Sequence, residues 1–210
     1  MENKKISSAV VKRLPRYYRY LSELLENGID RISSQELSKK MKVTASQIRQ
    51  DFNNFGGFGQ QGYGYNVSFL HDEIGKILGL EHNYNVIIIG AGNLGQALAN
   101  YSGFVKRGFR VSGIFDIDPT VVGKKINGIQ VMPVEDLEPF TREHPVHIAA
   151  LTLPKDQASK IAGRLADLGV EAFWNFASTD LNLPEHVVVE NVHLAESLMR
   201  LSYKLSEKNG

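Results

Sequence analysis

The sequence predicts a mixed α/β protein: an N-terminal winged helix-turn-helix domain joined to a Rossmann-type doubly wound parallel sheet, with a C-terminal dimer helix. Three observations predict it. The run Tyr84-Asn85-Val86-Ile87-Ile88-Ile89 reads as a buried strand, ends in Gly90-Ala91-Gly92-Asn93-Leu94-Gly95 and passes at once into a helix-compatible stretch. Strand and helix patterns alternate from there to about residue 190. Upstream, two hydroxyl-led capping boxes stand at the spacing of a helix-turn-helix. The expected boundaries are 1–80 for the winged helix, 81–190 for the parallel sheet and 191–210 for the terminal helix.

From Ser8 to Glu26, apolar residues recur at Val10, Val11, Leu14, Tyr17, Tyr18, Leu21, Leu24 and Leu25. That is helical spacing, closed by Gly28, and Pro15 within it should kink the helix or divide it in two. Ser33-Ser34-Gln35-Glu36 opens a short helix through about Met41, and Thr44-Ala45-Ser46-Gln47 opens another through about Phe52. In each box a hydroxyl accepts the N–H three residues on, while Glu or Gln reaches back. On the second helix Ala45, Ile48 and Phe52 should pack inward, leaving Ser46, Gln47, Arg49, Gln50 and Asn53 outward. Arginine suits guanine edges and glutamine suits adenine edges in a major groove, each through paired hydrogen bonds.

The stretch Phe55 to Tyr65 holds five glycines among aromatic residues and fits a tight hairpin or wing, with Gln60 and Tyr63 as candidate DNA contacts. Arg13, Arg16 and Arg19 are candidate phosphate contacts. Val67 to Leu80 should form a further helix with Phe69, Leu70, Ile74, Ile77 and Leu78 on its apolar side. Charge supports this division. Residues 1–50 hold 11 Lys/Arg against 5 Asp/Glu, whereas the remaining 160 hold 13 against 18. A basic head on a mildly acidic body suits a polyanion partner.

In the glycine run, Gly90 permits the tight turn, Gly92 lets the backbone approach a pyrophosphate, and Gly95 lets helix and strand pack closely. The helix N-terminus supplies free N–H groups and positive dipole for phosphates. A second strand, Arg110 to Phe115, ends at Asp116, 21 residues beyond Gly95. A carboxylate there can accept both adenosine ribose hydroxyls and would repel a 2′-phosphate, which favours NAD(H) over NADP(H).

Further along, Ile129–Met132 suits a short strand and Val146–Leu151 a buried one ending at Thr152-Leu153-Pro154. Asp156 to Leu168 reads as a helix with Ala158, Ile161, Ala162 and Leu165 on one face and Gly169 as its stop. Ala172–Asn175 and Val187–Glu190 are two more strands. Ligands of such sheets bind beyond the strand C-termini where strand order reverses. Thr152, Pro154, Asn175 and Phe176 are therefore placed beside the nicotinamide half. No catalytic set emerges: His144, His147 and His186 read as loop, packed or surface residues, and no histidine spacing suggests a metal. The segment Asn191 to Leu205 is one helix, apolar on several sides, which suits a partner subunit.

Cysteine is absent, which excludes disulfides and thiol chemistry. No apolar run approaches membrane length and no signal-peptide pattern opens the chain, so a cytoplasmic location is expected.

Nearly the whole chain resembles the bacterial redox-sensing transcriptional repressor Rex family. The resemblance rests on Lys12-Arg13-Leu14-Pro15-Arg16-Tyr17-Tyr18-Arg19, Gln47-Ile48-Arg49-Gln50-Asp51, Phe55-Gly56-Gly57-Phe58-Gly59 and Gly62-Tyr63-Gly64-Tyr65. It rests equally on Gly90 to Gly95, Phe115-Asp116-Ile117-Asp118, Leu151-Thr152-Leu153-Pro154 and Asn175-Phe176-Ala177. It implies a homodimer that binds palindromic operator DNA when NAD+ is bound and is released by NADH. It further implies a C-terminal helix swapped across the dimer, with Tyr101 and the partner copy's His193 and Leu194 joining the nicotinamide contacts. His193 stands where some members carry an acid, and Asn93 where some carry a base, so a charge pair between these positions is absent here. Two other readings use the same residues: an NAD-dependent oxidoreductase with a helical dimerisation module, and a CoA- or nucleotide-binding regulatory subunit.

Overall fold

The computed structural model describes residues 7–53, 59–60 and 64–209, with 59–60 and 209 described as backbone only. The chain divides into two compact units, Met1–His82 and Asn83–Gly210.

The first unit runs α1 (Ser8–Val11), α2 (Leu14–Glu26), β1 (Arg31–Ile32), α3 (Ser34–Met41), α4 (Ala45–Asn53), β2 (Gly59–Gln60), β3 (Gly64–Asn66) and α5 (Val67–Ile77). Pro15 divides the first helical stretch rather than kinking it, because its fixed φ and missing N–H are tolerated only in a first turn. Ser33 and Glu36 form the full reciprocal capping box that opens α3. The second box is only half made. Thr44 Oγ1 accepts the Gln47 N–H at 3.1 Å, but the Gln47 side chain turns to Asp51 instead of reaching back. Lys42, in the left-handed region at φ 52, makes the turn between α3 and α4. Strands β1, β3 and β2 pair antiparallel in that order, giving the short sheet of a winged helix. Tyr17, Leu21, Leu37, Met41, Ile48, Phe52, Leu70 and Ile74 fill the core between the helices. Of the residues expected on the apolar side of α5, Phe69 is instead 52% exposed and Ile77 37%. The buried stripe runs through Val67, Leu70, Ile74 and Gly75.

The second unit runs β4 (Tyr84–Ile89), α6 (Asn93–Ala99), β5 (Phe109–Asp116), β6 (Lys125–Ile126), β7 (Ile129–Pro133), α7 (Leu137–Glu143), β8 (Ile148–Leu151), α8 (Lys155–Asp167), β9 (Ala172–Asn175), β10 (Val188–Asn191) and α9 (Leu194–Asn209). The sheet order is β10-β9-β8-β4-β5-β7-β6, parallel throughout except for the edge hairpin β6–β7. Strand order therefore reverses between β4 and β8, which is where a doubly wound sheet opens its binding crevice. Alternation along the central strands feeds two cores. Ile87, Ile89, Ala149, Leu151 and Phe173 pack under α7 and α8, whereas Val86, Ile88 and Ala150 face the α6 side.

That second face is only partly covered. No helix connects β9 to β10, and a groove of about 370 Å³ lies open between Phe104 and Leu98 on one side and Trp174 and Val188 on the other. Among the described residues helix α9 buries no side chain: Leu194, Leu198, Met199, Leu201, Tyr203 and Leu205 are each more than half exposed.

Candidate functional site

The turn after β4 is built by three constraints. Gly90 sits at φ +103, a conformation L side chains rarely adopt, and a Cβ there would lie 2.8 Å from both Thr152 O and Oγ1. A Cβ on Gly95 would overlap the carbonyl oxygen of Gly90, so strand and helix meet this closely only through glycine. Gly92 is different: its φ is −69 and a Cβ would meet no protein atom within 4 Å. The protein's own packing does not require glycine there.

Neighbouring strands hold this turn. Thr152 Oγ1 donates to the Gly90 carbonyl at 2.8 Å, tying the end of β8 to the end of β4 across the switch point. Gln96 Nε2 donates to the Ala91 carbonyl at 2.8 Å, a support that no sequence pattern marked. Asp116 receives the Ala91 N–H at 2.5 Å on one oxygen and the Asp118 N–H at 2.9 Å on the other. The acid expected to meet a ribose thus also clamps the turn. Asn93 is exposed at the first position of α6 and Leu94 half-buried behind it.

Pro154 is exposed as the N-cap of α8. Asn175 is committed within the fold. It is fully buried, donates to Thr179 O and Asn191 Oδ1, and accepts the Ala177 N–H. Its side chain shapes the loop that carries Phe176, whose ring packs edge-on to Trp174. That contact continues an aromatic row from Trp174 through Phe104 to the exposed Tyr101. His193 and Leu194 follow β10, three strands from β4, so one chain does not bring them to its own glycine turn. Of the other histidines, His144 stacks on Phe140 and His147 Nδ1 accepts the Asn85 N–H. Among the described residues no cluster could hold a metal ion.

On the first unit, Ser46, Arg49, Gln50 and Asn53 are exposed along α4, as the helical spacing requires, while Ile48 and Phe52 are buried. Arg49 Nη1 donates to Ser34 Oγ at 3.0 Å, linking α4 to the start of α3. Arg19 is exposed and Arg16 half-buried, each with its guanidinium near the Tyr20 ring. Tyr63 lies outside the described residues, and only the backbone of Gln60 is described.

Two of the candidate DNA contacts are tied to a buried acid. Arg13 is not a loose cation: its Nε and Nη2 each reach an oxygen of Asp51 at 2.7 Å, in a bidentate pair. Gln47 is half-buried and donates one amide N–H to Asp51 at 2.9 Å. Asp51 itself is fully buried, with Tyr17 as a further donor at 2.9 Å. Burial works to raise its pKa, but the hydrogen bonds from Arg13, Gln47 and Tyr17 and the guanidinium charge outweigh it and hold the carboxyl below its ordinary value. Burial and the bond to Asp51 push the Tyr17 phenol well up.

A winged-helix unit and a switch-point glycine turn on a Rossmann sheet, in one chain, define a two-domain transcriptional regulator. Residues 5–53 match the family model described as "Putative DNA-binding protein N-terminus", and residues 81–179 match the "CoA binding domain" model. The redox-sensing transcriptional repressor Rex of Thermoanaerobacter pseudethanolicus is 58% identical over 204 residues, 97% of this chain and 91% of that protein. A crystal structure of RSP in complex with β-NAD+ and operator DNA matches with a TM-score of 0.91 at 57% identity, covering 99% of this chain and 95% of that one. RSP in complex with β-NADH matches with a TM-score of 0.89 at 54% identity, covering 99% and 97%. The chain belongs to the Rex family of redox-sensing transcriptional repressors.

Proposed function

We propose that this protein represses transcription as a homodimer that grips palindromic operator DNA and lets go when NADH displaces NAD+. One observation carries the reading: a single fold, matched along almost its whole length by a structure holding both NAD+ and operator DNA, presents an exposed recognition helix and a glycine turn at the sheet's switch point.

The residues fit a dinucleotide. Gly92 has open space where a pyrophosphate would approach, and Asp116 and Thr152 hold the turn in shape around it. Asp116 retains acceptor capacity on each oxygen for ribose hydroxyls, since a carboxylate oxygen can accept two donors. NADH and NAD+ differ only at the nicotinamide ring, so the contacts that distinguish them lie there. Residues 151–154 and 175–177 carry no acid, and Phe176 and Tyr101 add apolar surface, so stripping water from the oxidised ring's charge is disfavoured there. A ligand shifts the DNA-binding arrangement only by this difference in affinity between states. In this reading the cofactor is a signal, not a reactant, and the protein is no oxidoreductase.

The dimer uses α9. Its exposed apolar face and the open groove over β8, β9 and β10 are complementary in character, and a second copy's α9 would cover the groove and carry His193 and Leu194 toward the nicotinamide end. No helix among the described residues is long and apolar enough to cross a membrane, and a repressor acts in the cytoplasm. A DNA-binding titration on operators selected from a random duplex pool, with NAD+ and then NADH, tests the proposal. Turnover of small carbonyl substrates with NADH, without DNA binding, would favour the oxidoreductase instead.

A further inference from the structure

We infer that Asp51, buried beneath the recognition helix, decides which base Gln47 reads, by fixing the orientation of the Gln47 amide. The inference rests on the operator-binding reading above and assigns Asp51 as a positioning residue rather than a DNA contact.

The carboxylate is saturated. Its Oδ2 accepts Arg13 Nε at 2.7 Å and the Tyr17 hydroxyl at 2.9 Å, while Oδ1 accepts Arg13 Nη2 at 2.7 Å and Gln47 Nε2 at 2.9 Å. A carboxylate held ionised can only accept, so the NH2 end of the Gln47 amide, never its oxygen, must face Asp51. With one N–H committed inward, the remaining edge of the amide offers Oε1 and the second N–H side by side. That pair matches adenine, whose N6–H2 donates and N7 accepts in the major groove. Gln47 sits where such an edge is useful, half-buried beside the exposed Ser46, Arg49 and Gln50. Without Asp51 nothing in this pairing prevents a half-turn of the amide, which would exchange Oε1 and Nε2 along that edge and so set oxygen against the adenine N7 acceptor and the NH2 against its N6–H2 donor. Helix propensity does not account for the arrangement: the same glutamine could have closed the capping box on Thr44, and it does not.

The test compares base preferences, read by selection from a duplex pool with randomised half-sites. Because removing Asp51 alone would orphan Arg13, the network is replaced whole by apolar groups of similar shape, Arg13→Met, Tyr17→Phe and Asp51→Leu, and folding is checked by thermal denaturation. We expect this folded variant to lose about ten-fold or more of its preference for adenine at one base pair per half-site, within the range of a paired base contact. Gln47→Met should lose the same preference at the same base pair, and adding it to the triple variant should change nothing further. In parallel, the Gln47 side-chain NH2 of the full-length protein without DNA should show one proton protected from exchange. A folded triple variant with wild-type preference at every base pair would overturn the inference, as would a Gln47 NH2 that exchanges as freely as Asn53. Failure of the unaltered protein to select any palindrome would instead sink the operator-binding reading itself.

Discussion

The carboxylate of Asp116, at the end of β5, accepts the backbone N–H of Ala91 in the glycine turn at 2.5 Å. The acid that would choose the cofactor therefore also braces the loop that would hold its phosphates. Its removal should act on both. We predict that Asp116→Ala weakens NADH binding by about 1.5–3 kcal/mol, the range for a lost hydrogen bond to a charged group, and narrows the gap to NADPH. Parallel NADH and NADPH titrations check this, and an unchanged preference would remove Asp116 from the ribose site.

Gly92 and Gly95 separate ligand from fold. Gly92→Ala places a methyl group in open space at an ordinary φ, so thermal stability should hold while NADH binding falls about ten-fold or more, or roughly 1.4 kcal/mol. Gly95→Ala collides with the Gly90 carbonyl and should lower both. Calorimetry for stability beside a ligand titration distinguishes the two. Full NADH affinity in Gly92→Ala would mean that no phosphate approaches there.

Arg13→Ala should destabilise the first unit by about 2–4 kcal/mol at pH 7. The full cost of orphaning a buried acid is not reached, because Arg13 keeps 27% of its side chain exposed and Tyr17 and Gln47 remain on Asp51. The pH dependence follows from the lowered Asp51 pKa. A depressed carboxyl pKa contributes stability above the unfolded value of about 3.9, and that contribution is lost as pH falls through the folded value. The difference between wild type and variant should therefore shrink as the medium is acidified below about pH 4. Urea denaturation at pH 7 and at pH 3.5 measures it, and a pH-independent difference would argue that Arg13 acts through packing alone.

Truncation should be made after His193, not before Asn191, because Asn191 belongs to β10 and accepts a hydrogen bond from the buried Asn175. Deleting residues 194–210 should leave the parallel sheet folded and yield monomers that bind operator weakly and ignore NADH. Sedimentation and DNA titration on the same sample decide this. A stable dimer lacking α9 would refute the shared-helix arrangement.

Much of this molecule was legible because its signals are local. The alternating strands, the capping box at Ser33, the stop at Gly169 and the glycine turn each depend on residues within a few positions of one another. The helix α7 and the strand β6 escaped notice, being short and without a long periodic run. The tether on Arg13 and Gln47 was not legible for a different reason. Charge and helical phase put both toward solvent, but the deciding partner is Asp51, 38 residues from Arg13, whose burial no local pattern announces. Asn175 is similar: a polar residue at a strand end suggests a ligand, and its partners Thr179 and Asn191, from the loop and the next strand, are not announced by any local pattern.

Release of DNA by reduced cofactor is the central claim, and one titration tests it most directly. The protein is saturated with its selected palindrome in the presence of NAD+, and NADH is added while DNA binding is followed by fluorescence anisotropy. The account predicts that NADH dissociates the complex at concentrations that further NAD+ at the same level does not match, and that NADPH has little effect. A complex that survives saturating NADH, shown to be bound by its own fluorescence, would contradict it.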